Sequence, residues 1–264
     1  MVDKVFLYKI AFKLFRKVIV KLYKVQLFFV FLFLTLVSKS QVSDGWRIGV
    51  GLGGSIYCGS QVDEKLSFKT YKNYSEVNQG INIQIYKAID YKNEIGIRYL
   101  NTELWSFKKN DRQAINAKIN EFAVIYQRSL NENSDLYSNR FSFTHNLVVG
   151  LSLISFKSRL SSINPDTRVF TVLSSVGNGV EPTTLGLIKP DPQFAVGGIF
   201  GYNIGTRLSN TFSLYLENTF TLSTSNDITG NLYSKSKYLN NGYVYSALTL
   251  YINPNGNKMG CPKF

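Results

Sequence analysis

Between Trp46 and Ile252 apolar residues recur at every second position, and the residues between them are persistently small or polar. In 46–57, Ile48, Val50, Leu52 and Ile56 share one face, while Arg47, Gly49, Gly51, Gly53 and Ser55 share the other. A period of two is that of a β-strand whose two faces meet different surroundings. The same alternation returns at Ile81, Ile83 and Ile85 against Asn82, Gln84 and Tyr86, and at Ile95, Ile97 and Tyr99 against Gly96 and Arg98. It continues in 119–128, 141–151, 194–206, 212–222 and 243–252, so the pattern predicts eight strands. Their length suits the roughly 9 to 11 residues with which a tilted strand crosses a hydrocarbon layer.

Which face turns inward follows from the second face. It reads Ser213, Tyr215, Glu217, Thr219 and Thr221 in one strand, and Ala195, Gly197, Ile199, Gly201, Asn203 and Gly205 in another. Small and polar residues of this kind fill a narrow lumen, which leaves the apolar face for lipid. A sheet in lipid must also close on itself, because an open edge would strand backbone donors and acceptors without partners. The expected fold is all-β: a closed antiparallel up-and-down transmembrane β-barrel of about eight strands.

The 19 Phe and 17 Tyr fit the aromatic girdles of such a barrel, with Tyr57, Tyr91, Tyr126, Phe141, Phe212, Tyr243 and Tyr251 near strand ends. Connector lengths alternate. Residues 90–93 and 208–211 are short, 131–140 is intermediate, and 59–78, 108–118, 157–193 and 223–241 are longer. Short periplasmic turns and long outer loops would put both mature termini in the periplasm. Within 157–193, the stretches 168–174 and 184–188 are expected to pair as a hairpin that lengthens an outer loop; ten strands would result if it entered the membrane.

The first forty residues differ in kind. A basic stretch with Lys9, Lys13, Arg16, Lys17, Lys21 and Lys24 precedes an unbroken apolar run from Leu27 to Leu34, followed by Ser38, Lys39, Ser40 and Gln41. This is the order of a secretory signal peptide, and the small residues place cleavage between Ser40 and Gln41. The expected division is 1–40 signal peptide, 41–252 barrel and 253–264 periplasmic tail. Removing the leader's +7 from the total of +13 leaves +6, which calls for no nucleic-acid partner. Cys58 and Cys261 are the only cysteines, and neither follows the apolar run closely enough to be a lipid-modified N-terminus.

The signal ending Ser38-Lys39-Ser40-Gln41, the glycine-rich 49–54 and the strand Gly197-Gly198-Ile199-Phe200-Gly201 together resemble the small Gram-negative outer-membrane β-barrel family, OmpA/OmpX-like in architecture. A weaker resemblance extends to small barrel components of type IX secretion and gliding systems. These resemblances imply an outer-membrane location, contact with outer-membrane lipid and with the outer-membrane insertion machinery, and a non-enzymatic role as anchor, scaffold or binding protein. A narrow channel and a lipid-acting enzyme stay open as alternatives.

Candidate site residues are few. Arg47, Arg98, Glu121 and Glu217 all fall on the inward face of different strands, where opposite charges are expected to pair as a structural network, since unpaired buried charge is costly. The same residues could instead ring a channel. His145 is the one histidine and shares a face with Phe143 and Leu147, which suits an interface residue better than a general base. Glu103 and Glu121 are not brought together by spacing. Residues 49–54 lack the helix and downstream acid of a nucleotide fingerprint. No catalytic, cofactor or metal residue is expected. The segment 157–193, with Pro165, Pro182, Pro190 and Pro192, is the expected contact for a protein or surface ligand.

Overall fold

A computed structural model describes residues 45–59, 77–90, 92–108, 112–130, 143–163, 170–179, 182–209, 211–225, 227–230, 232 and 241–254. The leader, with Ser40 and Gln41, lies outside the described residues, as do Tyr91, Phe141, Cys261 and 255–264.

Ten strands are present among the described residues: β1 (Trp46–Gly59), β2 (Asn78–Ala88), β3 (Asn93–Lys108), β4 (Gln113–Ser129), β5 (Phe143–Ile163), β6 (Phe170–Val176), β7 (Leu187–Lys189), β8 (Gln193–Arg207), β9 (Phe212–Ser223) and β10 (Asn241–Ile252). The order β4-β3-β2-β1-β10-β9-β8-β5 is closed by a β4–β5 pairing. Eight strands thus form an antiparallel barrel. β6 and β7 stand outside the ring, joined to the far end of β5.

The alternation places the apolar positions outward. Ile48, Val50, Leu52, Ile81, Ile83, Ile97, Phe122, Val124, Leu147, Val149, Leu151, Phe194, Val196, Leu248 and Leu250 are all exposed, Leu151 to 68%. On β5 this surface runs from Phe143 to Leu153, which at ~3.3 Å per residue and a tilt of ~40° covers about 25 Å, the height of a lipid-facing band. Exposure of so much contiguous apolar surface is unfavourable in water and natural in hydrocarbon.

Three expectations need correction. The segment 108–118 is not a long connector: β3 and β4 run on as a hairpin, Lys108 opposite Gln113, leaving only 109–112 between them. The segment 157–193 is not one loop either. β5 continues to Ile163 against β6, and β7 joins β6 in parallel, so 168–174 and 184–188 make no antiparallel hairpin. With the end of β5 free above β8, the antiparallel partner of β6 is its own predecessor. Finally, Tyr57, Tyr243 and Tyr251 are buried in the lumen rather than girdling it. Parity explains this, because Tyr251 shares a face with Thr249 and Ala247, not with Leu250 and Ile252.

At one end of the barrel lie the short connections 89–92 and 208–211 and both described termini, Gly45 bonded to Ala88 and Asn253 to Thr211. This is the turn end. At the other, the loop end, β3, β4, β5 and β6 project past the barrel rim as a raised sheet.

Candidate functional site

The inward face of the strands builds a lumen in three levels. At the turn end, Arg47 of β1 bonds Glu94 of β3 at 2.5 Å. Its guanidinium lies 4.1, 4.8 and 5.2 Å from the ring centres of Tyr251, Tyr215 and Tyr86. Each ring rests on a glycine directly across the ladder: Tyr251 on Gly49, Tyr86 on Gly96 and Tyr215 on Gly205. A Cβ on Gly205 would stand 2.3 Å from the Tyr215 ring, so only glycine leaves room for the aromatic plane. A cleft of about 70 Å³ opens beside Arg47, lined also by Lys92, Glu94, Gln127, Ser129, Thr144 and Asn146.

The middle level is polar. Arg98 of β3 pairs with Glu121 of β4 at 2.7 Å, their side chains 1% and 0% exposed. Glu121 also accepts hydrogen bonds from Tyr243 and from Thr221, the latter at 3.2 Å, and Arg98 donates to Thr219 at 3.2 Å. Glu217 of β9 is held differently. It accepts from Gln84 at 2.8 Å, from Asn82 at 3.1 Å and from Tyr251. All of these bonds are charge-assisted, the stronger kind of protein hydrogen bond.

The loop-end level is apolar. Leu100, Leu104, Ile115, Ile119, Ile154, Phe156, Leu160, Val176 and Tyr245 pack into one cluster that includes Ile228. Ile228 belongs to a single 3-10 turn, Asp227–Thr229, folded over this end. Ser158 donates to the Asp227 carbonyl at 2.9 Å, Ser174 to that of Gly230 at 2.5 Å, and Lys189 pairs with the Asp227 carboxylate. Gly230 (φ +68°) approaches the Arg159–Leu160 backbone so closely that a Cβ would sit 2.9 Å from it.

The structure therefore brings together Arg98 and Glu121 but not all four expected charges. Arg47 takes Glu94 as its partner, and Glu217 has amide and phenol donors, with no ion-pair partner among the described residues. Glu94 went unread in the sequence, whereas the alternation already places Tyr86 and Tyr215 on the inner face; Tyr251 is assigned to a girdle there, although its parity also turns it inward. Glu103 lies on the outer face, paired with Lys118 at 3.2 Å, so it cannot meet Glu121. His145 also faces outward, its Nδ1 2.6 Å from the Tyr202 hydroxyl and its ring stacked on the tyrosine. Among the described residues no group of three or more His, Cys, Asp or Glu could hold a metal ion.

This is a closed eight-stranded barrel with its apolar side outward. No family model matches the chain, and no curated protein matches it. Solved structures similar to it include Ail, the attachment invasion locus protein of Yersinia pestis, at 10% identity and TM-score 0.42, covering 80% of this chain and 99% of that one. Neisserial surface protein A is similar at 6% identity and TM-score 0.40, covering 79% and 96%. The N-terminal β-barrel domain of Pseudomonas aeruginosa OprF is similar at 10% identity and TM-score 0.38, covering 78% and 96%.

Proposed function

We propose that this chain is an outer-membrane protein that acts without catalysis, its barrel serving as a plugged anchor and its raised loop-end sheet as a binding scaffold. The observation that carries this reading is the inversion of the barrel: an apolar exterior about 25 Å tall around a lumen filled with paired charges, tyrosines and an apolar cap. In water such an exterior would aggregate; in an outer membrane it is solvated by lipid.

On this reading residues 1–40 are an export leader cut before Gln41, the turn end faces the periplasm, and 253–264 is a periplasmic tail. Arg47, Arg98, Glu121 and Glu217 serve structure, because each is held by several partners, and the bonds of Arg98 to Thr219, Glu121 to Tyr243 and Glu217 to Gln84 join non-adjacent strands that a pore would keep apart. His145 is an interfacial residue, its Nδ1 engaged by Tyr202 on the lipid side. The segment from β6 to β7 is the best contact for a protein or surface ligand, since it stands above the barrel on β5.

Cell fractionation, with gels of unheated and boiled protein, tests the anchor. Outer-membrane recovery with a heat-dependent mobility change is expected; a soluble product without one sinks the reading. Planar-bilayer recording separates plug from channel, with no conductance steps expected. Deleting 170–189 should abolish ligand capture while the mobility change persists.

A further inference from the structure

Across β3, β4 and β5 the outer face changes character in three rows. The row Tyr99, Phe122 and Leu153 is apolar and exposed. Two residues nearer the loop end the row reads Asn101, Asn120 and Ser155, where Asn120 Oδ1 accepts from the Tyr99 hydroxyl at 2.8 Å and from the Asn101 side-chain amide at 2.7 Å. Two residues further it reads Glu103, Lys118 and Lys157. Each step is about 6.6 Å along the strand, so the charged row sits roughly 10 Å above the apolar edge once tilt is allowed for.

Lys118 and Lys157 are directly opposite each other in the β4–β5 ladder, and both are exposed. Like charges at that position repel. Glu103 pairs with Lys118, 67% exposed, but Lys157 has no acidic partner among the described residues. Arg159 lies on the same face two residues on. Beside the cluster the stem of Lys157 abuts Gly177, whose added Cβ would stand 3.0 Å from its Cγ. At the corresponding rim of β8, β9 and β10 the outward residues are Phe194, Val196, Phe220, Leu222 and Val244, without charge. The cationic row is therefore a patch on one side of the barrel, not a girdle.

We propose that Lys118 and Lys157 bind the phosphate groups of an outer-leaflet lipid, whose acyl chains lie along the apolar face below, on Phe122, Leu153 and Phe194. The inference rests on the outer-membrane reading and adds a ligand class and a site. Two facing ammonium groups just above hydrocarbon are unfavourable alone, and a phosphate between them removes the repulsion. Charge complementarity at the headgroup level favours a phosphorylated lipid over a protein partner.

The test uses protein purified from membranes in neutral detergent, with the heating temperature of the gel-mobility transition as readout. The probes are lipid A bearing both phosphates, the same lipid dephosphorylated, and inositol hexakisphosphate. Bisphosphorylated lipid A should raise the transition and the dephosphorylated lipid should not. Replacing both Lys118→Gln and Lys157→Gln should weaken half-saturation roughly thirty-fold, at about fivefold per cation. Lys157→Glu should abolish the response yet leave the lipid-free transition unchanged or higher, because Lys118 gains an opposite-charge neighbour. Equal responses of wild type and variants, or of the wild type to both lipids, overturn the site alone. A response to inositol hexakisphosphate as strong as to lipid A also overturns it, in favour of a soluble polyanion. A chain with no mobility transition in any detergent overturns the membrane reading and this site with it.

Discussion

At the loop end of the lumen, Leu104, Ile115, Leu160 and Val176 pack against Ile228 as the core of a water-soluble domain would. At the turn end, Arg47 stacks among Tyr86, Tyr215 and Tyr251 beside a cleft of about 70 Å³. Both fill the same cylinder, but one is closed by segments that fold over it and the other by side chains reaching across it. The loop end has β6, β7 and the 3-10 turn as a lid, so apolar groups can be buried there. At the turn end the connections 89–92 and 208–211 are four residues long, too short to reach over the opening, and among the described residues long amphipathic side chains span it.

Between the two halves stands the Arg98–Glu121 pair, and it offers the largest effect. Glu121→Ala leaves Arg98 buried without its carboxylate and should cost about 3–5 kcal/mol. Unfolding in lipid vesicles would register this as a lowered urea midpoint. The paired replacement Arg98→Met with Glu121→Leu should recover most of the loss, and a double variant as weak as the single one would refute the charge-burial account.

Next in size is the lid. Leu160→Ala and Ile228→Ala each should cost about 2–4 kcal/mol if the loop end is a packed core. Gly230→Ala, which strains a left-handed residue and drives a Cβ against Arg159, should cost about 1–3 kcal/mol. Thermal melts of the detergent-solubilised protein measure all three. Values below about 0.5 kcal/mol would mean that the turn merely rests on the barrel.

At the turn end, Arg47→Ala should cost about 2 kcal/mol through the lost ring contacts, and should open no conductance in planar bilayers, since the lid remains. Single-channel steps from this variant would place the barrier at the turn end instead. Gly205→Ala should match it in stability, because the added Cβ displaces Tyr215.

The smallest effect lies in the turn that follows β2. Burial alone would raise the Asp90 carboxyl, but hydrogen bonds from the Asn93 side chain and from the Lys92 and Asn93 amides, with Arg128 nearby, hold it below its ordinary value. A depressed carboxyl stabilises the fold above the unfolded value of 3.8 and loses that contribution as pH falls beneath it. Asp90→Asn should lower stability modestly at neutrality, where the carboxylate's contribution is complete, and flatten the acid sensitivity below that pH, as read from melts across pH.

The misread elements have physical causes. Alternation identified every strand of the ring, since lipid on one side and lumen on the other impose opposite polarity on successive residues. It failed in 108–118 because β3 and β4 there stand above the lipid-facing band, where the outer face turns polar at Asn116 and Lys118 while Ile115 and Ala117 pack inward, so the polarity of the two faces is reversed. It failed in 170–189 because β6 and β7 pair on top of β5, outside the ring. The strand-end tyrosines were misplaced by position along the chain, where parity already pointed Tyr57, Tyr243 and Tyr251 inward.

What the sequence determined by itself is which side chains face lipid and which face the lumen, because that depends only on a local period of two. It also placed Arg47, Arg98, Glu121 and Glu217 on the inner side. The tertiary structure alone decided which of them meet. Partners across a lumen depend on barrel closure and on how far each strand is staggered against the next, and Arg47 finds Glu94, forty-seven residues away, two strands around the ring. The lid over the loop end is of the same kind: Ile228 is apolar in any reading, but only the fold sets it against Leu160 and Val176.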